Sequence, residues 1–236
     1  MEKREQLYEG KAKRVYATDD PEVVIVDYKD DATAFDGTKR GTILGKGAIN
    51  NRMTNFLMEK LEAEGVPTHY IRQLSDRETA VKRVRIVPLE VIVRNISAGS
   101  FSKRFGVEEG RRFDSPTLEF SYKNDALHDP LMNAYHAVAL KLATWKEIDI
   151  IRDYAFQVND FLKETLLQCG VTLVDFKLEF GKTADGTIVL ADEISPDTCR
   201  FWDARTGEKL DKDRFRRDLG DPEGAYREMA RRLLGD

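Results

Sequence analysis

The sequence predicts an α+β fold, and three observations carry that expectation. Strand-like and helix-like stretches are mixed along the chain but do not alternate as strand–helix–strand units, which argues against a doubly wound sheet. Residues 171–180 alternate by two, with Val174, Phe176, Leu178 and Phe180 on one face and Asp175, Lys177 and Glu179 on the other. Residues 145–169 instead repeat apolar side chains at helical spacing: Trp145, Ile148, Ile151, Ala155, Val158, Leu162, Thr165 and Cys169.

Taken in order, residues 6–8, 14–17 and 23–28 read as short strands, with Asp19-Asp20-Pro21 as a turn. Residues 47–64 read as a helix with Ile49, Met53, Phe56, Leu57 and Leu61 on one side, and Gly65 ends it. Strands are expected at 69–72 and 79–86. Val87-Pro88 is a hinge candidate, because the residue before proline is driven out of helical geometry. It divides the chain into two expected lobes, 1–86 and 87–236. Residues 89–96 form a strand with Glu90, Ile92 and Arg94 on one face. The helix at 145–169 is the clearest element: Thr144 and Glu147 fit a capping box, and Gly170 supplies the stop. Its stripe reads as buried core. Asp221-Pro222 caps a last helix through Tyr226, Met229, Ala230 and Leu233.

A chain of 236 residues holds one large domain or two small ones with a substantial core. The net charge of −4 gives no general attraction to nucleic acid or anionic membrane. No apolar run approaches the ~18 residues that a bilayer span needs. Met1-Glu2-Lys3-Arg4-Glu5 lacks the apolar core of a signal peptide. Cys169 and Cys199 make neither a disulfide framework nor a zinc site, so the cytoplasm is the expected compartment.

Five constellations carry chemistry. Residues 187–195 form a second strand after 171–180, and Asp185-Gly186 between them is a strong hairpin signal. A two-residue turn there would place Glu179 directly opposite Asp192. Facing carboxylates repel unless a cation lies between them, and hard oxygen ligands favour Mg²⁺. The alternative is a solvated acidic face, and a bulge in the loop would break the pairing. Gly10, Lys11 and Lys13 form a tight basic turn suited to nucleotide phosphates, or simply an exposed hairpin. Residues 35–47 carry four glycines, which suggests a loop that closes over a ligand, with Asp36 able to receive a proton; the alternative is an ordinary surface loop. Arg94 and Ser97 to Ser100 end a strand and enter a helix, an anion site or a plain serine cap. Arg200 follows the second acidic strand closely enough to reach the same cleft. His69, His128 and His136 lack metal-ligand spacing, and Asp129 joins a site only if its loop reaches the cleft.

Longer motifs then connect these pieces. Tyr-Glu-Gly-Lys-Ala-Lys from Tyr8, Ala-Phe-Asp-Gly from Ala34 and Val-Arg-Asn-Ile-Ser-Ala-Gly-Ser-Phe from Val93 recur together with two others. These are Val-Asp-Phe-Lys-Leu-Glu-Phe-Gly from Val174 and Asp-Glu-Ile-Ser-Pro-Asp-Thr-Cys-Arg-Phe-Trp-Asp from Asp192. The set resembles the phosphoribosylaminoimidazole-succinocarboxamide synthase (SAICAR synthetase) family, essentially end to end. That resemblance implies a two-lobed α+β fold, with an N-terminal antiparallel sheet lobe covering the nucleotide and a larger ATP-grasp-like C-terminal lobe. It implies ligation of L-aspartate to carboxyaminoimidazole ribotide (CAIR), with ATP and Mg²⁺, and a homo-oligomer, a dimer. By resemblance, Lys11 and Lys13 meet the ATP phosphates, and the segment with Lys82 and Val84 reads adenine largely through its backbone. Glu179 and Asp192 hold nucleotide-bound Mg²⁺, with Glu90 and Asp175 as further ligands. Arg94, Ser100, Lys123 and Arg200 contact the ribotide, and Lys177 meets the transferring phosphoryl group. A small-molecule kinase would use the same lysines and acids, and a nucleotide sensor would need no second anion site at Arg94 and Ser100.

Overall fold

The computed structural model describes residues 1–35 and 37–235, so Asp36 lies outside the described residues. The first part of the chain runs β1 (Lys3–Glu9), β2 (Lys13–Thr18), β3 (Val23–Tyr28), β4 (Asp31–Ala34), β5 (Lys39–Thr42), α1 (Lys46–Ala63), β6 (Tyr70–Gln73) and β7 (Glu78–Lys82). Next come β8 (Arg85–Ile96), α2 (Gly99–Phe105), β9 (Arg112–Tyr122), β10 (Leu131–Met132), α3 (Ala134–Ala139) and α4 (Trp145–Gln168). The chain closes with β11 (Val171–Lys182), β12 (Ile188–Ala191), β13 (Cys199–Asp203), α5 (Asp213–Arg216) and α6 (Pro222–Leu234).

Two large antiparallel sheets result, besides a two-stranded ribbon of β4 and β5. The first has the order β1-β2-β3-β7-β6, and the second β10-β9-β8-β11-β12 with β13 also on β11. The mixture of helices with antiparallel sheets is the expected α+β class. The sheet changes between β7 and β8, at Arg83-Val84, and β8 continues through Val87-Pro88, where its pairing with β11 shifts register. Helix α1, although early in sequence, packs Met53, Leu57, Met58 and Leu61 into the same core as β8, β11 and α4. That core is lined on the helical side by Ile148, Ile151, Ala155, Val158, Leu162 and Leu166 of α4, all buried. The expected capping box is present: Thr144 Oγ1 accepts from Glu147 N, and Glu147 Oε2 accepts from Thr144 N at 2.7 Å. Trp145 departs from the predicted stripe; it is half exposed and stacks edge-on against Tyr135.

The predicted loop at 35–47 contains structure. Lys39–Thr42 pairs with Asp31–Ala34 as a two-stranded ribbon, and α1 begins one residue earlier than expected. Asp30, fixed by a forked pair with Arg77 at 2.9 and 2.8 Å, accepts from Gly45 N and Gly47 N and so caps α1 from outside its own sequence.

The β11–β12 register corrects one expectation. Glu179 pairs with Ala191, and Gly181 with Val189, so Asp192 is not opposite Glu179. The reason is the turn. Gly186 N donates to Thr183 O, and Thr183 N donates to Thr187 O, which makes a three-residue loop with Gly186 at φ +86°. Asp185-Gly186 therefore closes a longer turn than the two-residue form, and every pairing shifts by one. The residue that does face Glu179 is Glu90, across the other edge of β11.

Candidate active site

A cleft of about 930 Å³ lies between the two sheets. Its sheet-two wall is the polar face of β8 and β11. Period-two alternation puts Glu90, Ile92 and Arg94 beside Glu179, Lys177 and Asp175 respectively. Glu90 and Glu179 thus form a directly opposed acidic pair, which repels unless neutralised. Lys177 neutralises it: its Nζ donates to Glu90 Oε1 at 3.0 Å and to Glu179 Oε1 at 2.9 Å, and lies 4.0 Å from Asp192 Oδ2. Lys123 Nζ donates to the same Glu179 oxygen at 2.9 Å. Burial opposes the charge on Lys177, but Glu179, Asp192 and Glu90 outweigh it and hold its pKa well above the ordinary lysine value.

Asp192 still reaches the cleft. It leaves β12 in a left-handed conformation, φ +58°, which redirects its side chain. There it pairs with Lys13 from β2, which also lies 3.2 Å from Glu193. Burial works against both charges; Lys13 and Lys177 nevertheless hold the Asp192 carboxyl far below the usual range, and Asp192 and Glu193 raise Lys13. Glu193 is pushed up by burial. His69, buried beside this pair, is pushed down to about 3 by burial and by Lys13, so its imidazole is neutral.

Arginines organise the rest of the wall. Asp175 lies between Arg94 Nη1 at 2.6 Å and Arg200 Nη1 at 2.9 Å, so both guanidiniums already hold the carboxylate expected to bind metal. Arg94 is only 2% exposed and also contacts Glu119 and Ser100 Oγ, so it supports Ser100 rather than presenting a bare cation. Gly99 is required by this packing: a Cβ there would meet Arg200 Nη2 at 2.4 Å, and its φ is +54°.

Of the residues expected at the nucleotide, Lys11 lies on the cleft rim with its Nζ 2.8 Å from Asp125 Oδ1. Lys82 also lines the cleft, but its Nζ donates to Thr68 O. Backbone N–H groups of Lys82 and Arg83 donate to His69 O and Glu22 O. That leaves Val84 N, at the cleft wall, without a backbone acceptor among the described residues. Asp129 also reaches the cleft, its Oδ1 accepting from Asn124 N.

Sequence reasoning missed Glu119, Glu193 and Asp197, and the charge-mixed run 211–216 reads from its sequence as a solvated helix start, whereas Asp213 is buried and Lys212 lines the cleft. Asp197 is buried and takes Lys46 Nζ at 2.7 Å and the Tyr226 hydroxyl. Asp213 bridges Arg200 and Arg216. Apart from Arg216, three residues after Asp213, the partners named here are far away in sequence, so local spacing does not reveal the network; the unbroken motif from Asp192 to Asp203 hinted at it. Among the described residues no three metal-ligating side chains converge as a ready cage. Mg²⁺ commonly takes one or two carboxylates with substrate phosphates completing the shell, and Glu179 and Asp192, both within reach of one ammonium, suit that mode.

Comparison with known proteins agrees with this geometry. The profile of the SAICAR synthetase family matches residues 6–233. The chain is 66% identical over 233 residues to a phosphoribosylaminoimidazole-succinocarboxamide synthase of Lachnoclostridium phytofermentans, covering 99% of each. It superposes with a TM-score of 0.96 on the crystal structure of such a synthase from Ehrlichia chaffeensis, at 46% identity and 98% and 99% coverage. It also matches a SAICAR synthetase in complex with ADP, with a TM-score of 0.95, 49% identity and 98% coverage of both chains.

Proposed function

Since the chain belongs to the SAICAR synthetase family, an ATP-dependent ligase family that joins L-aspartate to CAIR in purine biosynthesis, we propose that its cleft performs this ligation through an acyl phosphate. The single observation that carries the reading is Lys177, held between Glu90 and Glu179 on the cleft wall and facing the Lys13–Asp192 pair. A carboxylate resists amine attack because its leaving group would be oxide. Moving the γ-phosphoryl group of ATP onto a CAIR carboxylate oxygen makes phosphate the leaving group. The aspartate nitrogen then attacks the carbonyl carbon, the C–O bond to phosphate breaks, and the nitrogen loses its proton.

In this reading Lys11 and Lys13 bind the phosphates, and Val84 N reads the adenine edge. Lys177 meets the transferring group, where a fixed cation stabilises charge that develops in the transition state. Glu179 and Asp192 would hold Mg²⁺, with Glu90 beside them; bound there, the ion would offset charge on the phosphates. Asp175 acts by orienting Arg94 and Arg200, because its oxygens are already taken by guanidiniums. Ser100, Arg200 and Lys123 face the ribotide. Asp36 stays the candidate acceptor of the amine proton. A cytoplasmic homodimer is part of the same proposal, on family grounds.

ADP release measured with CAIR, with L-aspartate and with both tests the ligation. Multiple-turnover release requiring both supports it, and multiple-turnover release with CAIR alone, with L-aspartate alone or with neither rejects it. Hydroxylamine added with CAIR and ATP should give a hydroxamate; its absence removes the acyl phosphate.

A further inference from the structure

An unbroken alternation of cations and acids runs behind the cleft wall and lines it at Arg94, Asp175, Arg200 and Arg216. Arg104 contacts Glu119, which contacts Arg94, and Arg94 contacts Asp175. Asp175 contacts Arg200, which contacts Asp213, which contacts Arg216. Each interior charge has an opposite charge on both sides at 3.2 Å or less. The pattern ends on a surplus of positive charge. Beside Arg216 stands Lys212, whose side chain is 12% exposed and lines the cleft. Its nearest carboxylate is Asp197 at 3.9 Å, too long for a hydrogen bond. Asp197 is also spoken for, since one oxygen takes Lys46 and the other Tyr226. A buried ammonium with no close anion is costly, and an anionic ligand relieves that cost. Burial, together with Arg216 and Lys46, pushes the Lys212 pKa down against the pull of Asp197.

Two of the three substrates already have cations assigned: the nucleotide has Lys11 and Lys13, and the ribotide has Arg200 and Lys123. L-aspartate, a dicarboxylate with one nucleophilic amine, has none. We propose that Lys212, with Arg216 beside it, binds a carboxylate of the amino-acid substrate and so sets the preference for an acidic amino acid. This rests on the ligase reading above. A carboxylate there completes the alternation, one more acid beyond the last two cations.

Steady-state kinetics on Lys212→Gln and Lys212→Arg tests the assignment. Loss of a charge-assisted contact is expected to raise KM for L-aspartate about ten- to hundredfold in Lys212→Gln. KM for ATP and for CAIR should stay near wild type, and Lys212→Arg should recover most of the loss. An unchanged KM for L-aspartate, or a rise confined to CAIR, overturns the assignment and leaves the ligase reading standing. A wild-type enzyme with no aspartate-dependent ADP release overturns the ligase reading itself. Wild-type enzyme gives a second measurement that needs no variant to fold. Acetylation of Lys212 by acetic anhydride, read by mass spectrometry, should slow severalfold when L-aspartate joins CAIR and a non-hydrolysable ATP analogue. Full protection by CAIR alone, or none with all three, overturns the proposal.

Discussion

Lys177 shows how one side chain settles two problems. The β8–β11 register sets Glu90 against Glu179, and the ammonium between them removes the repulsion while standing where phosphoryl charge would develop. Lys177→Met is therefore expected to lower kcat about 100-fold or more. The same variant leaves Glu90 without its ammonium and Glu179 with Lys123 alone, so added Mg²⁺ should raise its Tm by more than it raises that of wild type, a comparison made by scanning calorimetry. Gly99 is a second sensitive position. Gly99→Ala forces a Cβ against Arg200 and strains a positive φ. Misplacing that guanidinium should cost about 10- to 100-fold in kcat/KM for CAIR, while KM for ATP holds near wild type.

At the scale of elements, strands and helices with strong periodicity were legible: β3, α4 and α6 fall where the pattern put them, and the acidic face of β11 follows from alternation alone. The pairing of β11 with β12 was not, because Asp-Gly serves two-residue and three-residue turns alike and only the flanking hydrogen bonds distinguish them. The β4–β5 ribbon escaped notice because it is short and rich in small residues, and β9 because its polar run lacks clean alternation. The candidate site divides the same way. Residues on the alternating face were found, whereas the supporting acids Glu119, Asp197 and Asp213 are paired through tertiary contacts. Gly186→Val, which places a branched side chain at φ +86°, should destabilise the hairpin by about 1 kcal/mol or more, measured by urea unfolding.

Across the whole molecule, the C-terminal part fastens the cleft from behind. Tyr226 of α6 donates to Asp197, which also holds Lys46 of α1, so the two helices and the loop before β13 share one buried anion. Tyr226→Phe should cost about 1–2 kcal/mol in urea unfolding, with little change in KM for ATP. Asp213 gives a pH signature. Burial opposes its charge, but Arg200 and Arg216 win and bring its pKa down to about 2 from 3.8. A depressed carboxyl pKa stabilises above the unfolded value and loses that contribution as pH falls through the folded one. Asp213→Asn should thus be less stable than wild type by about 2 kcal/mol at neutral pH. In urea titrations that gap should narrow only as pH drops below 3.8 toward about 2.

Lys13 belongs to the first sheet, and the acids it grips, Asp192 and Glu193, follow the second. The chain is therefore clasped across the mouth of its cleft. Nucleotide entering alone would draw that lysine onto phosphate and strand two carboxylates in a dry setting. A divalent ion arriving in the same step would take over the abandoned acids, so the clasp itself favours the metal–nucleotide complex over either component by itself.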